Sequence, residues 1–155
     1  MTAVQIEVNP DISADQLWDF YIRNNICEVG FGKDVATRVL NHPQVIVGAF
    51  RGADHVGLAR ACFDGLSATI MELSLDLSLQ GSTPHGNGSL IEVDSEGVGQ
   101  ELAKTLLAHL RSLGNTFTDV SAADFEEPFY RSAGFTENIG QKIFYIDERP
   151  YVTGS

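Results

Sequence analysis

Basic residues are scarce in this 155-residue chain: ten lysines and arginines face 21 aspartates and glutamates, a formal net charge of −11. A nonspecific nucleic-acid binder displaces phosphate counterions with a basic face, so nucleic acid is excluded as the expected partner, and an anionic membrane surface with it. Cysteine is scarcer still. Cys27 and Cys62 are far apart and form no CxxC, which predicts a reducing, cytoplasmic setting rather than a disulfide scaffold. No apolar run approaches the ~20 residues of a membrane-spanning helix. Residues Met1–Asp11 lack a basic stretch followed by an apolar one, so no secretory signal is expected. The four histidines, His42, His55, His85 and His109, have no metal-ligand spacing among themselves or with the cysteines, and no metal is expected. G-x-S-x-G and Walker-type loops are missing, which leaves a hydrolase or a nucleotide-triphosphate enzyme without support. The acidity favours solubility and fits, weakly, a cationic or amine-bearing partner.

What is present is an ordinary globular composition, 43% hydrophobic and 20% charged, with no repeats, heptads or dividing linker. It predicts one domain over residues 1–155, with a core at about 3–147. Gln5–Val8 alternates as a short strand. Ser13-Ala-Asp-Gln16 reads as a capping box ahead of Leu17, Trp18, Tyr21 and Ile22 at helical spacing. Gly30–Gly32 breaks the chain, and a second helix is expected from Lys33 to Asn41, stopped by Pro43. Val45–Arg51 and His55–Phe63 flank Gly52-Ala-Asp54 as an antiparallel hairpin. Ala68–Leu79 is a long strand candidate, with Met71, Leu73, Leu75, Leu77 and Leu79 alternating with polar residues. Gly81–Ser89 is a loop by composition, and Leu90–Val93 is ambiguous between strand and loop.

From Val98 the spacing Val98, Leu102, Leu106, Leu110, Leu113 makes a helical stripe closed by Gly114. Phe117–Ser121 reads as a strand, Phe125–Ala133 as a helix capped by Gly134, and Lys142–Ile146 as a closing strand. Antiparallel strands followed by a β–α–β crossover predict an α/β domain with a mixed sheet.

Two motifs carry a resemblance. Phe129-Tyr-Arg-Ser-Ala-Gly-Phe135 resembles the F-Y-x-x-x-G-F segment of the GNAT-superfamily N-acetyltransferases, and Gly97-Val-Gly99, opening the long helix, resembles the end of that family's R/Q-x-x-G-x-G/A loop. The resemblance covers about residues 3–147 and implies the GNAT acyl-CoA N-acyltransferase fold, a single three-layer α/β domain. It also implies acetyl-CoA as cosubstrate, with its diphosphate cradled by Gly97, Val98, Gly99 and Gln100 at a helix amino terminus. The chain departs from the pattern in that Asp94 stands where Arg or Gln is usual, and Glu92–Glu101 carries four carboxylates and no basic residue. A carboxylate ~8 Å from a phosphate costs roughly 2 kcal/mol at an effective dielectric near 20. Asp94 and Glu96 are therefore expected to point to water, leaving the backbone donors free. A second departure is spacing. The central strand around Met71–Asp76 normally runs quickly into the diphosphate loop, whereas here Gly81–Ser89 intervenes. Either the strand is extended and the loop inserted, or Leu90–Val93 supplies the cofactor-facing edge.

By this resemblance Tyr130 is the proton donor to the departing thiolate, and Glu72 is a general base for the amine. Backbone groups at Leu73 and Leu75 polarise the acyl carbonyl, and Arg131 or Lys104 meets a phosphate of the cosubstrate. Asp124, Glu126 and Glu127 read mainly as acids favoured in a helix's first turn, while Asp76 and Glu92 are lesser base candidates. The function expected is acetyl transfer from acetyl-CoA to a primary amine of a small molecule or protein, by direct attack in a ternary complex. The alternative is a non-catalytic GNAT-like module with a degenerate acidic loop. The resemblance leaves room for a homodimer.

Overall fold

The computed structural model of the chain describes residues 3–26, 31–81 and 85–149. Cys27, part of the break at Gly30–Gly32 and residues 82–84 of the expected loop lie outside them, whereas Cys62 is a free thiol. The chain runs β1 (Val4–Val8), α1 (Ala14–Arg23), α2 (Asp34–Asn41), β2 (Val45–Arg51), β3 (Asp54–Phe63), β4 (Ala68–Leu75), α3 (Val98–Ser112), β5 (Thr118–Val120) and α4 (Glu127–Ser132). The five strands form one sheet in the order β1-β2-β3-β4-β5. The first four are antiparallel neighbours, and β5 joins β4 in parallel after the α3 crossover.

Local chemistry accounts for these elements. The capping box forms as expected: Gln16 N donates to Ser13 Oγ at 3.1 Å, and Ser13 N donates to Gln16 Oε1 at 3.0 Å. Leu17, Phe20 and Tyr21 on α1 are buried with Ile12, Ala36 and Leu58, which covers one face of the sheet. On the other face α3 buries Val98, Leu102, Leu106 and Leu110, a period of four that keeps one stripe against the strands. The domain is therefore three-layered, helix–sheet–helix, as the resemblance implied.

The structure differs from expectation in several elements. The long strand ends at Leu75, not Leu79, and Leu77–Leu79 is a 3₁₀ turn. Its alternation was misleading because Asp76 turns the chain: Ser78 N and Ser78 Oγ both donate to Asp76 Oδ1, at 3.1 and 2.7 Å. Met71 also leaves the apolar stripe. Arg60 pairs with Glu72 and Ala61 with Ile70, so Met71 is the extra residue of a bulge, and it stands 55% exposed. Leu90–Val93 is neither strand nor sheet edge, and Lys142–Ile146 is no strand, because residues 136–146 are exposed and pair with no neighbour in the sheet. The expected helix Phe125–Ala133 begins as a 3₁₀ turn at Asp124–Glu126 before α4.

Candidate active site

Strands β4 and β5 pair only over Ala68–Ile70 and Thr118–Val120, and beyond Ile70 they separate. The gap is a cleft of about 190 Å³, lined by Ile70–Leu73 of β4, Ser89 and Leu90, Val120 and Ser121, Ala123, Glu126 and Tyr130. The bulge at Met71 lies on its wall and starts the divergence. Two parallel strands splaying at their carboxyl ends open a site where main-chain donors stay unpaired. Leu75 N donates to Gly88 O at 2.8 Å, away from β3. By the two-residue alternation, Leu73 N–H points the same way, into the cleft that Leu73 lines.

Tyr130 is buried between Phe129 and Phe135, edge-on to both rings at 5.2 and 5.7 Å between centroids. Burial, and then the charge of Glu126, push its phenol well above its ordinary range, so it stays protonated. Glu126 sits one helical turn earlier and is 3% exposed. Ile91 N donates to its Oε1 at 2.7 Å and Ala123 N to its Oε2 at 3.0 Å. Burial raises its carboxyl above the usual range, against the lowering by those two donors. Glu126, expected mainly as an acid of the helix's first turn, instead lines the cleft with Tyr130, four residues on.

Glu72 also lines the cleft, but its carboxylate is committed. Tyr21 Oη donates to Oε1 at 2.7 Å, Arg60 Nε to the same oxygen at 2.7 Å, and Ser74 Oγ to Oε2 at 2.6 Å. Three donors, one of them the Arg60 cation, make it a linchpin between α1, β3 and β4. Asp76 is held as firmly by Arg23, Asn24 and Ser78, and Glu92 stands near His85 at 3.4 Å. Arg131 is exposed and pairs with Glu127 at 3.1 Å and Glu137 at 3.9 Å, and Lys104 is exposed on α3.

The amino terminus of α3 differs most from expectation. Gly97 is its N-cap, at φ +76°, a left-handed conformation for which glycine is suited but which brings no capping side chain. Asp94 does that work from three residues upstream: Gly99 N donates to its Oδ1 at 3.0 Å and Gln100 N to its Oδ2 at 2.9 Å. Asp94 thus turns inward rather than to water, and Glu96 binds Arg51 at 2.7 Å. A Cβ at Gly99 would lie 2.9 Å from Phe129 Cε1 and 3.2 Å from Asp94 Oδ2, so this glycine makes room for the chain's own ring and carboxylate. The Gln100 amide also donates to Phe129 O at 3.2 Å, tying α3 to α4.

The overall fold has counterparts in solved structures. A probable acetyltransferase from Staphylococcus aureus superposes with a TM-score of 0.69 at 15% identity, over 92% of this chain and 99% of its own. A GNAT-family acetyltransferase from Streptococcus pneumoniae also gives 0.69, at 22% identity over 94% and 99%. The chain has the GNAT acetyltransferase fold. A glucosamine-6-phosphate N-acetyltransferase from Arabidopsis thaliana, at 11% identity, reaches 0.64 over 92% and 99%. No protein-family model and no curated protein matches this sequence. Likenesses below 25% identity make the GNAT fold a matter of architecture, and leave the site to be read from its own residues. Among the described residues no helix is long and apolar enough to cross a membrane, and no cluster of His, Cys, Asp or Glu is placed to hold a metal.

For coenzyme A the fit is divided. The acyl end is lined by Leu73, whose main-chain N–H faces away from β3, and by Tyr130. The diphosphate end does not fit, because the Gly99 and Gln100 N–H groups already hold a carboxylate.

Proposed function

We propose that this GNAT-fold domain is a cytoplasmic N-acyltransferase, moving an acetyl group from a thioester of the coenzyme A class to a primary amine. The observation that carries the reading is the β4–β5 cleft, where Tyr130 and the Leu73 main chain line one small space. A bound thioester supplies the acyl group and a thiol leaving group. Leu73 N–H faces the developing oxyanion, a placement worth most in a site that excludes water. Tyr130, kept protonated by burial, holds the proton that the departing sulfur needs. Of the two cleft carboxylates, Glu126 is the proton acceptor for the amine: burial raises its affinity for protons and its two donors are neutral main-chain groups, whereas Glu72 is paired with the Arg60 cation. The Glu126 carboxylate, which has no cation paired to it among the described residues, favours a cationic amine over an anionic acceptor. A homodimer is proposed as the assembly, on the apolar carboxy-terminal run at Ile143–Ile146.

One observation favours a second reading, a non-catalytic module: the Asp94 carboxylate at α3, where a diphosphate would be gripped. Thiol release separates the two. With an acetyl thioester and a panel of primary amines, the enzyme reading predicts amine-dependent release, and its absence for every amine and thioester supports the module.

A further inference from the structure

The α3 terminus binds an anion, and the anion is its own. Asp94 satisfies the N–H groups of Gly99 and Gln100, and Gly97 N donates to Asp94 O at 3.3 Å. Glu101 N is taken by Gly97 O at 3.1 Å. The segment that carries Asp94 is anchored on both sides. Ser95 N and Oγ donate to Leu79 O at 3.1 and 2.6 Å, and Ile91 N donates to Glu126. The same segment takes the next main-chain donor along β4, since Leu75 N donates to Gly88 O. Charge points the same way. Between Arg60 and Lys104 the sequence has no lysine or arginine, and Arg51, which reaches this loop, is held by Glu96. An incoming diphosphate would have to displace a carboxylate from two charge-assisted hydrogen bonds and then sit among carboxylates, beside an Arg51 already paired with Glu96.

Resting on the acyl-transfer reading above, we propose that Asp94 is an internal ligand filling the anion seat of α3, so that the acyl donor is recognised by its neutral acyl-pantetheine end and not by its diphosphate. The substrate class is then any acetyl thioester with a pantetheine-like arm, whether or not a nucleotide follows it. Asp94 is a specificity-determining residue. Its carboxylate discounts the nucleotide half of coenzyme A without touching the acyl group.

The test is calorimetric titration of acetyl-CoA and of S-acetylpantetheine into the native protein and into Asp94→Asn, which keeps a capping acceptor while removing the charge. Thermal unfolding verifies that the variant is folded. The native protein is expected to bind the two thioesters within about threefold of each other. In Asp94→Asn, S-acetylpantetheine affinity is expected to stay unchanged while acetyl-CoA tightens about tenfold or more, with the gain shrinking as salt is raised. Acetyl-CoA binding the native protein tenfold or more tighter than S-acetylpantetheine overturns the inference and leaves acyl transfer standing. So does an Asp94→Asn variant with unchanged acetyl-CoA affinity. Binding of neither thioester to either protein contradicts acyl transfer itself, and this inference with it.

Discussion

His55 is a histidine held where its charge is unwelcome. It is 4% exposed, packed between Phe20 and Phe50 at 4.4 and 5.2 Å between ring centroids, and its Nε2 donates to Gly57 O at 2.8 Å. Burial lowers its pKa from 6.5 to about 4, with Arg23 adding to the lowering and Gly57, Glu72 and Asp76 opposing it. The folded pKa lies below the unfolded one, so as pH falls the unfolded chain takes the proton first. Stability is therefore lost between roughly pH 6.5 and pH 4, by as much as about 3 kcal/mol from this residue at the low end. Denaturant unfolding at pH 7 and pH 5 checks this against His55→Phe, which keeps an aromatic ring in the stack. The variant is expected to lose less stability than the native protein over that interval. Equal losses would mean that His55 is not the titrating group.

Among the elements, the return from β4 to α3 depends on one buried amide. Asn24, just after α1, donates from Nδ2 to Phe20 O at 2.9 Å and to Asp76 Oδ2 at 3.2 Å, and its Oδ1 accepts from Leu77 N at 2.9 Å. Its main-chain carbonyl accepts from Gly88 N at 2.8 Å. Asn24→Ala removes the side-chain bonds and leaves Leu77 N–H without its partner, so a loss of about 2–4 kcal/mol is expected in chemical denaturation. A change under about 0.5 kcal/mol would contradict the assignment. Much of this level was legible in the sequence. The capping box, the hairpin and the α3 stripe each rest on local spacing, and each forms. The end of β4 was not legible, because alternation in Leu75–Leu79 suits a strand and says nothing of an Asp76 side chain that turns the main chain. The cap on α3 had a faint signal: an N-cap glycine brings no acceptor, and Asp94 is near enough upstream to supply one. Glu72 and Tyr130 both line the cleft, but the donors Tyr21 and Arg60 that occupy Glu72 come from α1 and β3, far away in sequence.

At the scale of the whole molecule, the fold leaves apolar surface unspent. Ile143, Phe144, Tyr145 and Ile146 are 69, 88, 82 and 87% exposed, and among the described residues β5 is the last strand of the sheet. Exposed apolar patches of this kind mark interaction surfaces. Burying these four side chains from each of two copies would hide roughly 1,000 Å², the lower bound for a specific interface. Sedimentation is expected to find a dimer that Phe144→Lys with Ile146→Lys converts to monomer, while native protein that stays monomeric at high concentration would remove the homodimer from the account.

The central claim is that the β4–β5 cleft transfers an acyl group with Tyr130 as proton donor. The most direct measurement is amine-dependent thiol release by Tyr130→Phe beside the native protein, with donor affinity measured in parallel. The ring and its edge-on contacts with Phe129 and Phe135 remain in the variant, and only the hydroxyl is lost. The account predicts unchanged donor affinity and turnover lower by roughly 10²–10⁴-fold, the range of a lost general acid. Full turnover in Tyr130→Phe would contradict it.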